Sequence, residues 1–168
     1  MVKGGEVMSI GIKNTDFKLA KLLSYKADIK LWGKKAEITV KFPKDKSPGA
    51  YLDMLIGNIK EQLVWVENER STIEKKLTDY GYILLAEDWV STLKRAINEE
   101  QECYITKDGE KIFLPITEED FSESLYLDKM SVNFRRDLRK PELELFLRCN
   151  PDYFRNYALR IRIDDEKK

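Results

Sequence analysis

From Tyr25 to Leu31 the chain reads YKADIKL, with Tyr25, Ala27, Ile29 and Leu31 in one phase and Lys26, Asp28 and Lys30 in the other. AEITVKF repeats the alternation, with Ala36, Ile38, Val40 and Phe42 in the apolar phase. A period of two is the spacing of a strand with one buried face and one wet face. Between the two runs stands WGKK, where Gly33 supplies the positive φ that a tight turn requires. The two runs are predicted to form a β-hairpin. A weaker strand is expected before it, between Met8 and Leu23.

The period changes after FPKDKSPGA. Ser47 followed by Pro48 reads as an N-cap and a first helical position, where proline's missing donor does no harm. Beyond it Leu52, Ile59, Val66 and Ile73 recur every seventh residue, accompanied by Ile56, Leu63 and Leu77, with Arg70 the one polar member of that second row. This is the stripe of an amphipathic helix. Gly81 ends or bends it, and helix is expected to resume through Tyr82, Leu85, Trp89, Leu93 and Ile97. Two helices on one face of a sheet are predicted, with a bend nearer Trp65 than Gly81.

CYITKDGEKIFLP then sets Asp-Gly between two short β-prone runs, which predicts a hairpin inserted near residues 102–115. In ITEEDF, Thr117 stands at an N-cap and Asp120 at the capping-box position, while Ile116 can staple against Phe121. A short helix to about Ser124 is expected. Three strands finish the chain. Met130, Val132 and Phe134 form the apolar phase of the first, Leu143, Leu145, Leu147 and Cys149 that of the second, and Tyr157, Leu159, Ile161 and Ile163 that of the third. Their connectors are short, so neighbours should pair antiparallel. The final DDEKK is expected to fray.

Together these elements predict a single α+β domain over residues 1–168. Its antiparallel sheet is built from the N-terminal hairpin and the three C-terminal strands, and two or three helices cover one face.

Composition narrows the chemistry. The 168 residues are 42% hydrophobic and 36% charged with a formal net charge of zero, which argues against tight non-specific nucleic-acid binding. No apolar run reaches the roughly 18 residues of a membrane span. MVKGGEVMSIGIKN lacks the apolar core of a secretory signal, and Cys103 and Cys149 have neither metal nor redox spacing, so reduced thiols and a cytoplasmic location are expected. The chain contains no histidine. Ser-His-Asp and Cys-His catalysis are therefore excluded from its own residues, as are histidine-containing zinc sites and histidine pH switches. No cofactor is implied.

The remaining candidates are mostly explained by structure. Glu118, Glu119 and Asp120 suit a first helical turn, where carboxylates complement the dipole. Glu99, Glu100 and Glu102 read as a solvated connector. Trp89 lies on the helical stripe and reads as core, Trp65 lies off it, and Trp32, beside a turn glycine, is the aromatic expected to be most exposed. Cys149 points inward and reads as a small buried hydrophobe.

One surface is left. Arg148, Arg160 and Arg162 fall on the polar phase of their strands, where cross-strand ion pairs to Glu142 or Glu144 are expected. Residues 130–163 are nonetheless strongly basic while residues 99–128 are acidic, an asymmetry that suits steering toward a charged protein. With Arg155, Phe146 and Tyr153 nearby, arginine and aromatic residues make a hot-spot composition. The leading expectation is a non-enzymatic protein that binds another protein through Arg148, Arg155, Arg160, Arg162, Phe146 and Tyr153, as a regulator or an immunity-type protein. The alternatives are an enzyme or small-ligand protein using Tyr, Asp or Glu between sheet and helices, and RNA binding by the Arg/aromatic sheet face. Homo-oligomerisation is left open.

The order of these elements resembles that of DUF2262, a bacterial family of unknown function. The likeness rests on YKADIKLWGKKAEITV, on Trp65, on LLAEDWV with Trp89, and on Ile116, Thr117 and Phe121. The resemblance implies the fold given above and no activity. This chain departs from it in the inserted hairpin and at Asn156-Tyr157, where many relatives carry Gly-His. Any catalytic use of that histidine would be closed to this chain.

Overall fold

Tyr25 and Val40, Ala27 and Ile38, and Ile29 and Ala36 sit opposite one another across the hairpin of β2 (Ser24–Leu31) and β3 (Lys34–Lys41), so apolar phase meets apolar phase. The structure, a computed structural model, describes residues 10–20, 24–98 and 101–163. Gly4-Gly5, Glu99-Glu100 and the DDEKK terminus lie outside these residues. At the hairpin turn both Trp32 (φ 52°) and Gly33 (φ 77°) are left-handed, the conformation whose twist matches the flanking strands. The expected earlier strand is β1 (Lys18–Ala20), antiparallel to β2.

α1 (Pro48–Asn68) starts where the sequence places it: Ser47 Oγ accepts the Ala50 amide at 3.2 Å, with Pro48 at the first helical position. Leu52, Ile59, Leu63 and Val66 are buried, and the stripe continues through Ile73 and Leu77 in α2 (Arg70–Asp79). The helices break at Glu69, four residues from Trp65, and again at Gly81, which takes φ 84° before α3 (Tyr82–Val90). Arg70 interrupts the stripe for a reason. Its guanidinium stacks over Trp32 at 5.3 Å, pairs with Glu74 at 2.7 Å, and donates to the carbonyls of Ser122 and Leu125.

Helix does not resume through Leu93 and Ile97. Residues Lys94–Asn98 form β4, which pairs with β5 (Gln101–Ile105), and Ile97 is 77% exposed. The Asp-Gly hairpin joins β5 to β6 (Lys111–Ile112), completing a small three-stranded antiparallel sheet. α4 (Glu118–Ser124) carries the reciprocal capping box: Thr117 Oγ1 accepts the Asp120 amide at 3.0 Å, and Asp120 accepts the Thr117 amide at 3.1 Å.

β7 (Leu125–Asn133), β8 (Glu142–Cys149) and β9 (Leu159–Ile163) pair antiparallel in succession. The six-stranded sheet runs β1-β2-β3-β7-β8-β9 and is mixed, which corrects the all-antiparallel expectation, because β7 lies parallel to β3. The cause is the connection. The helices, the small sheet and α4 all intervene between β3 and β7, so the chain crosses over and re-enters in the direction it left. Ile38, Val40, Leu127, Met130, Leu145 and Leu147 are fully or almost fully buried in one hydrophobic cluster with the stripe of α1 and α2. Among the described residues, the side chains of the opposite face from Lys26 to Arg162 are exposed or half-buried.

Candidate functional site

The uncovered face of the sheet is a charged ladder set by register. One row runs Thr39, Ser131, Glu144, Arg162 across β3, β7, β8 and β9; the next runs Glu37, Lys129, Phe146, Arg160. The bulge in β7 adds Asp128, whose carboxylate meets Arg148 Nε at 2.9 Å. Lys26 pairs with Glu37 at 3.5 Å, Lys35 with Asp28 at 3.3 Å, and Arg136 with Glu142 at 3.1 Å.

At the β9 edge the ladder is unbalanced. Arg160 Nη2 lies 2.6 Å and Arg162 Nε 3.2 Å from the same atom, Oε2 of Glu144. Burial raises the Glu144 carboxyl, but the hydrogen bonds and charges of the two guanidiniums outweigh it and hold the group below its ordinary value. The hydrogen bond and charge of Glu144 in turn raise Arg160. The expected pairing to Glu144 is present, with one carboxylate serving two cations.

Around that edge, on the helical side, lies a groove. Trp65, Lys76, Tyr80 and Tyr82 face Ile161 across it, and the enclosed space is about 190 Å³. Tyr80 is 72% exposed. Sequence periodicity missed the helical wall because its residues belong to three helices whose relative placement depends on the breaks at Glu69 and Gly81. Trp65 standing off the stripe was the one available signal.

The predicted site residues divide. Arg160, Arg162, Phe146 and Arg148 share the open face. Arg148 also clamps the β8–β9 loop, its Nη1 donating to the backbone and side-chain oxygens of Asn156 at 2.5 and 3.0 Å. Asn156 takes φ 67°, a left-handed conformation that asparagine adopts more readily than most residues. Arg155 lies elsewhere, bonded to Thr92 and lining a wide cleft of about 860 Å³ with Lys94, Lys107, Asp108 and Asp152.

Tyr153 is not on the surface. It is 4% exposed, and burial, with the charges of Asp120 and Cys149, pushes its hydroxyl up to about 12 against a hydrogen bond with Ser124. The loop NPDYFRN folds Tyr153 and Phe154 inward together, and Phe154 meets Tyr82 and Trp89 edge-on. Tyr157, expected inside β9, precedes it and is 66% exposed against the edge of Trp89, itself half-buried. Trp32 reverses its expectation as well: it is buried, and its Nε1 donates to the Val66 carbonyl at 2.9 Å near the end of α1.

Among the described residues no group of three or more His, Cys, Asp or Glu is placed to hold a metal ion, and no helix is long and apolar enough to cross a membrane. The family described as an uncharacterized protein conserved in bacteria (DUF2262) matches residues 15–168. No curated protein and no solved structure matches the chain.

Proposed function

The chain belongs to the bacterial family DUF2262, and from its own surface we propose that it is a non-enzymatic protein-binding protein, of regulatory or immunity type. The observation that carries this reading is the β9 edge, where Arg160 and Arg162 share Glu144 beside an aromatic groove. Exposed arginine adjoining Trp and Tyr is the composition of interface hot spots, and surplus positive charge on a chain of zero net charge favours oriented approach of an acidic partner. The groove is also below the roughly 300–1,000 Å³ typical of small-molecule sites.

The test is affinity capture from the native host with the full chain and with the double variant Arg160→Glu, Arg162→Glu. A specific protein is expected to be retained by the first and lost by the second, with both giving the same far-ultraviolet circular dichroism. An unchanged set of captured proteins rejects this face as the binding surface.

The cleft at Arg155 supports a second reading, a small-ligand site, because its volume falls within that range. A metabolite-anion screen by thermal shift should then find a compound whose stabilising effect Arg155→Ala removes.

A further inference from the structure

The six-stranded sheet ends at β9, and among the described residues no strand pairs with its outer edge. Along that edge the side chains divide by face. Leu159 and Ile163 are buried and Ile161 is half-buried on the helical side, while Arg160 and Arg162 stand exposed on the other. A strand laid beside β9 would have to alternate in the same way. One set of its side chains would pass over Ile161 into the groove of Trp65, Tyr80 and Tyr82; the other would stand next to Arg160 and Arg162.

Charge selects the occupant. A second copy of β9, antiparallel and centred on Ile161, would set Arg160 against Arg162 of the other chain, and like charges directly opposed destabilise a pair. Arginines on an open edge therefore block self-pairing. An acidic strand meets the reverse condition, since Glu144 leaves the two guanidiniums with one carboxylate between them. The same two residues thus repel one class of strand and attract another, which is how edge specificity arises. The 190 Å³ groove adds room for one or two apolar side chains.

We propose that β9 accepts an extended segment of a partner protein as an added strand, with carboxylates at alternate positions facing Arg160 and Arg162 and apolar side chains between them entering the Trp65–Tyr80–Tyr82 groove. This rests on the protein-binding reading above and specifies its mode: main-chain hydrogen bonds give affinity and alternate side chains give specificity.

The test selects random octapeptides on the full-length chain, then measures a fluorescent synthetic copy of the most enriched sequence by anisotropy. Enrichment of alternating acidic and apolar residues is expected. Two N-methylated versions of that peptide, one blocked at odd amides and one at even, should behave differently. The version blocked on the edge-facing side should bind about thirtyfold more weakly, the other nearly normally. Tyr80→Ala, at an exposed position, should weaken the unmodified peptide severalfold.

No enrichment, enrichment without alternation, or equal binding of both methylated peptides overturns strand addition. If both methylated peptides bind equally while Arg160→Glu, Arg162→Glu still abolishes capture of the partner, the protein-binding reading stands and only its mode fails. A concentration-dependent dimer that the peptide dissociates overturns the choice of partner in favour of a second copy.

Discussion

Cys149 lies on the inward phase of β8, and its thiol is pushed up to about 12, chiefly by burial, against a hydrogen bond with Ser124. The sign of the consequence is fixed by linkage. Between its ordinary value of 9.0 and 12 the folded chain holds a proton that the unfolded chain has lost, so this contribution is complete below pH 9 and disappears as pH rises through the window. Its full size is up to about 4 kcal/mol. Urea midpoints should fall between pH 9 and pH 11, and the fall should be shallower in Cys149→Ala. The native chain should also resist a thiol reagent at pH 8, because Cys103 is buried too. Rapid labelling of Cys149 without denaturant contradicts its placement. This residue was readable from alternation alone, because a strand ties side-chain direction to position. Trp32 and Tyr153 were not, because a turn and a loop impose no such period: Trp32 turns back to the end of α1, and the β8–β9 loop carries Tyr153 inward.

At the scale of elements, local rules succeeded where the determining contacts are local. Ser47 with Pro48, and Thr117 with Asp120, start their helices by hydrogen bonds made within one turn. Thr117→Ala should cost about 1 kcal/mol, the usual worth of such a cap. It should be read from a chemical-denaturation midpoint, with Thr117→Ser close to the parent; an Ala variant as stable as the parent means α4 is held by Phe121 and its neighbours alone. The segment Lys94–Asn98 shows the opposite case. Leu93 and Ile97 continue the spacing of α3, yet the chain there is a strand because β5 supplies its partner, Ala96 standing opposite Cys103. Five residues with one long apolar side chain cannot declare a period, and the hairpin that pairs with them decides. The parallel pairing of β3 with β7 escaped for a related reason: it depends on where a long crossover delivers the chain, which neither strand records.

At the scale of the whole molecule, one face of the sheet makes the core and the other displays charge, so a chain of zero net charge still has an electrically uneven surface. On the open face Lys26, Lys30, Lys35, Lys41, Lys129, Arg148, Arg160 and Arg162 outnumber Asp28, Glu37, Asp128, Glu142 and Glu144. The separation was legible from strand phase; the sharing of Glu144 by two arginines was not, because it requires the β8–β9 register. That sharing makes acid the condition in which the face should fail. Glu144 is depressed below 4.5 in the folded chain, so below that ordinary value the unfolded state binds more protons than the folded one. Its stabilisation is therefore complete above the ordinary carboxylate range and is lost as pH falls through the depressed folded value. Once Glu144 is protonated, Arg160 and Arg162 face each other and the neighbouring lysines without a counter-charge. Glu144→Gln should lower stability at pH 7 and flatten the decline between pH 5 and pH 3, so that the two chains converge in acid. Parallel curves for variant and parent over that range would mean that the β8–β9 ladder does not depend on this carboxylate.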